Sequence, residues 1–454
     1  MKKKLLPLLL CCTLLAACGD NDSKSVAAET PTPTKAVVSE MPSRSDTTVD
    51  PLTALQDCLA NGRSIPSEAA LPEGVSLSPE FLEQALVRNG NTSRLRDVML
   101  KASKGKEITL AYLGGSITAG SNASPMESAC WAAQTTEWWR NTFPLAKINY
   151  VNAGIGATDS YVGVHRVEQE ILQYHPDVVV VEFSVNDTKS LNVETYESLL
   201  RRLLESESRP AVVPLMLCTA GSTFAADHAP LAILYDLPII AYFNLFGTGM
   251  LAWDQAGDSD GVHPKNEGHA VISALMCSFY ETVLEELVTD AENRGLDTVS
   301  QEAETERSSA ELPEGQTPGR YEDASFIYAD NAADLKIESE GFVPMDSDGP
   351  ILHGKGWVTK EAGSFSFECE ARTIGFAYLR SDASADPGPA VYDVYADDTL
   401  ICSIDLTANI TGSGPLQYCE ILKEDRPALH KVRLVPSEDN SGMEFTILGL
   451  ALGK

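Results

Sequence analysis

A serine behind two glycines, an asparagine, and a histidine three residues after an aspartate are the side chains here that could cooperate in acyl transfer. Ser116 lies in ITLAYLGGSITAG, where an apolar run stops at Gly114 and Gly115 and a helix-like stretch begins. A strand that ends in such a turn lifts a hydroxyl out of the sheet edge, within reach of a substrate. Alone, that hydroxyl is a poor nucleophile at neutral pH. It needs a base within hydrogen-bond reach and donors where an oxyanion would form. DSDGVHP at 258–264 supplies His263 as candidate base and Asp260 to hold its second ring nitrogen in the useful tautomer. Asn186, in VEFSVND, offers a side-chain amide to the oxyanion, and NAGIGATDS at 152–160 offers a backbone N–H from the turn at Gly156 and Ala157. The N–H of Ser116 completes that set. Losing one such donor typically costs about 3–4 kcal/mol of transition-state stabilisation.

These residues need a frame. From 107 onward, runs rich in Val, Ile and Leu (EITLAYLG, KINYVNAG, DVVVVEFS, AVVPLMLC and PIIAYFN) alternate with helix-like stretches near 131–143, 160–174, 192–206, 223–235 and 266–286. Near-continuous apolar strands separated by helices predict a parallel α/β sheet covered on both faces. Such sheets gather their working residues outside the carboxyl ends of the strands, where Ser116, Gly156 and Asn186 fall. Ahead of this core, residues 51–106 form a helical extension with three short helices. Ser78 before Pro79 and Glu80 is a helix start, and Gly90 a stop.

Other chemically capable residues read as structural. His269 in NEGHAV is a helix-face residue, and His165 with Arg166 packs or caps on the helix after the second block. Trp131, Trp138 and Trp139 fall at helical spacing and read as core, with Trp131 an alternative pocket-lining residue, whereas Trp253 is a better candidate for the pocket rim. Asp187 is expected to cap a helix. Seven cysteines follow Cys18, an odd number without paired metal spacing. They read as buried small side chains with room for one disulfide in the C-terminal part. No metal and no organic cofactor is expected.

The amino terminus reads as an address. MKKK, an apolar stretch too short to span a bilayer, and LAAC ending at Cys18 form a signal peptide over 1–17 with a lipobox. The pattern resembles bacterial lipoproteins, which implies lipidation (palmitate included) of Cys18 and anchoring on an extracytoplasmic membrane face. Residues 18–50, rich in Ser, Thr, Pro and Ala, read as a disordered tether. The formal net charge is −31, and loss of Lys2, Lys3 and Lys4 makes the chain more acidic still. Such a surface repels nucleic acid and anionic headgroups, so neutral or cationic substrates fit better. The hydrolase part is expected over 51–286, an acidic linker over 287–319, and an all-β sandwich over 320–454. In that last part short alternating runs such as SFSFECEA, TIGFAYLR and AVYDVYAD are separated by turn signals.

In order and type, the four blocks around Ser116, Gly156, Asn186 and His263 resemble the SGNH/GDSL hydrolases. Many relatives carry Gly-Gly where this chain has Gly156-Ala157. The resemblance implies a flavodoxin-like three-layer α/β/α domain, here joined to a jelly-roll-like β module similar in size to carbohydrate-binding sandwiches. It also implies a serine esterase working through an acyl-enzyme. The spacing around RLRDVMLKASKGKEITLAYLGGSIT is similar to a bacterial clade whose members include polysaccharide deacetylases. A carbohydrate O-acetylesterase acting on an acylated glycan is the leading expectation. The alternatives are a lipase, lysophospholipase or thioesterase on the same fold, and an inert glycan-binding surface lipoprotein.

Overall fold

The computed structural model describes residues 50–62, 70–309, 311–349, 351–360, 362–381, 391–408, 414–437 and 444–454. Cys18, the signal segment and the tether lie outside the described residues, apart from Asp50. Strands β1 (Leu86–Arg88), β2 (Glu107–Gly114), β3 (Lys147–Gly154), β4 (Val178–Glu182), β5 (Ala211–Met216) and β6 (Ile239–Ala241) form one sheet in the order β1-β6-β5-β4-β2-β3. All neighbours are parallel except the short edge pair β1 and β6.

The apolar strands are buried because each side of the pleat has its own cover. Leu110, Tyr112, Val178 and Val180 face a core built with helices Pro51–Gly62, Ser93–Ser103, Trp131–Thr142 and Asn266–Arg294. Their neighbours Ala111, Leu113, Val179 and Val181 face a second core with helices Ser160–Glu170, Ser190–Glu205 and Ala225–Leu234. Alternation of period two thus divides one Val-rich run between two helix layers. Each fully buried Val or Leu contributes about 1.5–3 kcal/mol relative to exposure. The extension contains the three expected helices, and Ser78 Oγ accepts from Phe81 N–H at its helix start. That helix stops at Ala85 rather than running to Gly90, because Leu86–Arg88 pairs with the sheet edge.

The stretch expected as an acidic linker is largely helical. The helix from Asn266 runs to Arg294, carried past 286 by buried Leu287, Val288 and Ala291, and a second helix spans Leu296–Ser309. Buried Val299 and Ala303 and half-buried Leu296 dock the second helix on the first core, while Asn91 donates to Glu306 at 2.7 Å. Beyond it, the Glu197 carboxylate accepts the N–H groups of Gln316 and Thr317, both at 2.7 Å. Composition alone had suggested a spacer; a few well-placed side chains make it part of the wall.

From 325 the chain is all β, with β7 (Ser325–Ile327), β8 (Lys336–Glu340), β9 (Val343–Pro344), β10 (Trp357–Thr359), β11 (Ser364–Leu379), β12 (Val391–Ala396), β13 (Thr399–Asp405), β14 (Leu416–Pro436) and β15 (Phe445–Gly453). Every ladder is antiparallel. SFSFECEA and TIGFAYLR are one strand, β11, which pairs with β14 along its length with register shifts after Ala371 and Ile374. Up to Glu368 its other edge takes β8, and from Thr373 onward β15. Bulges at the bend let one pair of strands serve two layers around a core of Phe365, Phe367, Phe376, Tyr392 and Phe445. The outer face of the β15 side carries Ala377, Leu416, Tyr418 and Leu448 into the second core of the α/β part. The two modules therefore share buried surface. The seven described cysteines are thiols; Cys402 and Cys419 sit with their sulfurs 3.6 Å apart.

Candidate active site

Ser116 follows β2, Gly156 follows β3 and Asn186 follows β4. The chain leaves β2 for β3 on one side, and β4 lies on the other, so these three ends meet where the strand order switches direction. The turn after β2 is tight. A Cβ on Gly115 would stand 2.2 Å from Asn186 Oδ1, so only glycine lets the asparagine lie over the residue before the serine. Ser116 then opens the short helix Ser116–Ala119. Below it, Glu182 accepts from Thr118 Oγ1 at 3.1 Å and from the Gly115 and Val185 N–H groups. Burial raises its pKa to about 7.

His263 reaches across from the loop before the long helix. Its Nε2 is 2.8 Å from Ser116 Oγ, and its Nδ1 is 2.7 Å from Asp260 Oδ2. Asp260 Oδ1 accepts the N–H groups of Val262 at 2.8 Å and His263 at 2.9 Å. Partial burial pulls the carboxyl upward, but these hydrogen bonds and the imidazole hold it below the ordinary carboxylate range. The loop is fixed further by Asp258 N–H to His263 O at 2.8 Å and by Trp253 Nε1–H to Asp258 O at 3.0 Å. Trp253, expected at the rim, thus braces the loop that carries the aspartate and histidine. Side-chain exposures of 24% for His263 and 40% for Asp260 leave the pair open to a substrate.

Gly156 faces the serine: a Cβ there would stand 3.8 Å from Ser116 Cβ. Ala157 adopts φ +57°, in the left-handed region that favours glycine. Two residues later, Asp159 caps helix Ser160–Glu170 through Val162 N–H. Asp187 was expected as a helix cap, yet helix Ser190–Glu205 is capped at Lys189. Asp187 instead takes Ser160 N–H at 2.8 Å, tying the Asn186 loop to the 156–160 turn, and shares a 2.8 Å hydrogen bond with His228 Nε2. Burial pushes the Asp187 carboxyl well up and the His228 imidazole down to about 3.

Other residues follow their structural readings. His269 is buried against Ser121 O at 3.0 Å, and burial lowers it to about 4. His165 bonds Tyr161 O, and Arg166 reaches Ala153 O and Gly114 O at the ends of β3 and β2. Trp131, Trp138 and Trp139 are core. Among the described residues no group of His, Cys, Asp and Glu is arranged to hold a metal ion, and no helix is long and apolar enough to cross a membrane.

Three partners escaped sequence reading. Asn122, at φ +65°, donates Nδ2 to Asp258 at 2.9 Å and to Asp260 Oδ2 at 3.2 Å. Its only sequence signal is a place shortly after Ser116. Tyr418 and Gly414, from the β module, reach Asp159 and Ala157, and no local pattern announces either contact.

Residues 112–271 match the model of the GDSL-like Lipase/Acylhydrolase family. Two crystal structures of a two-domain esterase active on acetylated mannans, one co-crystallized with mannopentaose, are 28% identical to this chain. Each covers 82% of it and 98% of its own chain, with a TM-score of 0.68. A catalytic mutant of an acetylxylan esterase from Geobacillus stearothermophilus is more distant, at 17% identity over 38% of this chain and 94% of its own, with a TM-score of 0.32. No curated protein matches in sequence. The likeness to the two-domain esterase extends over both modules, and the chain is a carboxylic ester hydrolase whose residues 112–271 form a GDSL-like lipase/acylhydrolase region.

Proposed function

We propose that this esterase removes O-acetyl groups from polysaccharide or oligosaccharide by a serine mechanism. The reading rests on the hydrogen-bonded line from Ser116 Oγ through His263 to Asp260, at 2.8 and 2.7 Å. Its support for a glycan substrate is the two-domain relative active on acetylated mannans. Ser116 Oγ attacks the ester carbonyl as His263 Nε2 takes its proton. Asp260 accepts from Nδ1–H and stabilises the imidazolium that forms. The oxyanion is received by Ser116 N–H, a backbone N–H of the Gly156–Ala157 turn and the Asn186 amide. His263 returns the proton to the departing sugar oxygen. It then deprotonates the water that attacks the acyl-enzyme and releases acetate.

An acidic surface suits neutral glycans better than polyanions. We place the enzyme outside the cytoplasm, tethered by a lipid on Cys18. Incorporation of labelled palmitate in wild type and its loss in Cys18→Ala tests that anchor. The reaction is tested with nitrophenyl acetate, butyrate and octanoate, together with acetate release from acetylated mannan, using wild type and Ser116→Ala. Acetate-selective turnover that disappears in the variant is expected. A preference for octanoate would overturn the acetylesterase reading in favour of a lipase on this fold.

A further inference from the structure

The β module touches the proposed oxyanion turn itself. Gly414, two residues before β14, packs so closely on Ala157 that a Cβ there would stand 2.5 Å from Ala157 Cβ and 3.6 Å from Gly156 O. Neither contact can give way by a rotamer change. Alanine at positive φ costs about 1–2 kcal/mol, so the turn keeps this shape because its surroundings hold it. Gln417, fully buried, donates to Gly414 O at 2.9 Å and fixes the approach.

One strand turn further, Tyr418 OH donates to Asp159 Oδ2 at 2.7 Å, and its ring stacks on Tyr161 with centroids 4.2 Å apart. Lys189 Nζ lies 3.4 Å from the same hydroxyl and 4.9 Å from the ring centroid. Asn192 donates to Asp159 at 3.2 Å and accepts the N–H groups of Thr188 and Lys189, just beyond Asn186. Both loops that offer oxyanion donors are therefore held from behind, with the β module on the far side.

We infer that Gly414 and Tyr418 are positioning residues for the oxyanion hole, so that the second module sets the rate of acyl transfer apart from any glycan it binds. The inference rests on the proposed roles of Ser116 and the Gly156–Ala157 turn. The full chain is assayed on nitrophenyl acetate, which is too small to need a distant glycan site. Gly414→Ala is expected to lower kcat about ten- to hundredfold with KM changed less than about twofold, the penalty of an ångström-scale misplacement. Tyr418→Phe, which removes one hydrogen bond, is expected to lower kcat about three- to tenfold. Gly414→Ala combined with Ala157→Gly removes the clashing methyl and is expected to recover most of the kcat lost in Gly414→Ala.

Wild-type kcat in folded Gly414→Ala and Tyr418→Phe, beside an inactive Ser116→Ala, would overturn the inference and leave the serine mechanism standing. So would a change confined to KM, or a loss that follows Tm and is not rescued by Ala157→Gly. Full activity in Ser116→Ala would instead sink the mechanism on which the inference depends.

Discussion

Two aspartate–histidine pairs flank the loops proposed to receive the oxyanion, and they are nearly equal in geometry. Asp260 and His263 meet at 2.7 Å, Asp187 and His228 at 2.8 Å. Their surroundings differ in every other respect. The first pair is part exposed, and its free ring nitrogen faces Ser116. The second is 0–1% exposed, with the His228 ring stacked on Tyr196 at 3.6 Å. Hydrogen bonds keep the Asp260 carboxylate ionised despite partial burial, whereas desolvation drives both members of the buried pair toward their uncharged forms. A carboxylate beside an imidazole is therefore not a catalytic signature. What sets the outer pair apart is a third partner within reach and a path for substrate.

The comparison breaks or holds on paired substitutions. Ser116→Ala and His263→Ala are expected to lower kcat/KM on nitrophenyl acetate at least about ten-thousandfold, with Tm close to wild type. His228→Ala should do the reverse. It leaves a buried carboxyl without its hydrogen-bond partner and a cavity where the ring lay, costing about 3 kcal/mol of stability with a much smaller loss of rate. Denaturant unfolding beside steady-state kinetics separates the two. A His228 variant as inactive as His263→Ala, with Tm unchanged, would remove the distinction. Between these extremes lies Asn186→Ala, whose amide lies over Gly115. Its kcat is expected to fall about a hundred- to a thousandfold with KM little altered, and loss in KM alone would make Asn186 a binding residue.

What the sequence conveyed of this arrangement follows from how local each cause is. Ser116 and the Asp260–His263 loop were readable because strand end, turn residues and spacing lie within one short segment each. The parallel sheet was readable because Val-rich runs such as 178–182 have a period that two helix layers must satisfy. The docked helix Leu296–Ser309 was not, since its fixing residues, Val299 and Ala303, are sparse in an acidic stretch. Asp187 was read as a cap for its own helix, but the N–H it takes belongs to Ser160, 27 residues away in the chain. Tyr418 and Asp159 are 259 residues apart, and nothing near either predicts their hydrogen bond. Chemistry written in motifs is legible; the packing that holds it in place is written across the chain.

Glu182 sharpens the same contrast through pH. Burial raises its folded-state pKa to about 7 from an ordinary 4.5. Between those values the folded chain keeps a proton that the unfolded chain has released. Stability therefore falls as pH rises through that window, by about 2–3 kcal/mol for this group. Asp159 and Asp187, also raised, act with the same sign. Glu182→Gln imitates the protonated acid and should flatten part of the decline. Urea midpoints from pH 4.5 to 7.5 measure it, and parallel wild-type and variant curves would mean that the carboxyl is ionised throughout.

The smallest expected effect concerns Asn122, which shares Asp260 Oδ2 with the imidazole. Three hydrogen bonds from the loop's own residues, Val262 N–H, His263 N–H and the His263 ring, already hold the carboxylate. Asn122 instead couples it to Asp258, whose N–H bonds His263 O. Asn122→Ala should therefore leave the ionisation in place and loosen the orientation, lowering kcat about three- to tenfold with KM nearly constant. Asn122→Asp adds a like charge beside Asp258 and Asp260 and raises the affinity of the site for protons. It should move the acidic limb of the kcat profile to higher pH, whereas Ala should lower the plateau without displacing the limb. A displaced limb in Asn122→Ala would show that this amide governs the charge of Asp260 as well as its direction.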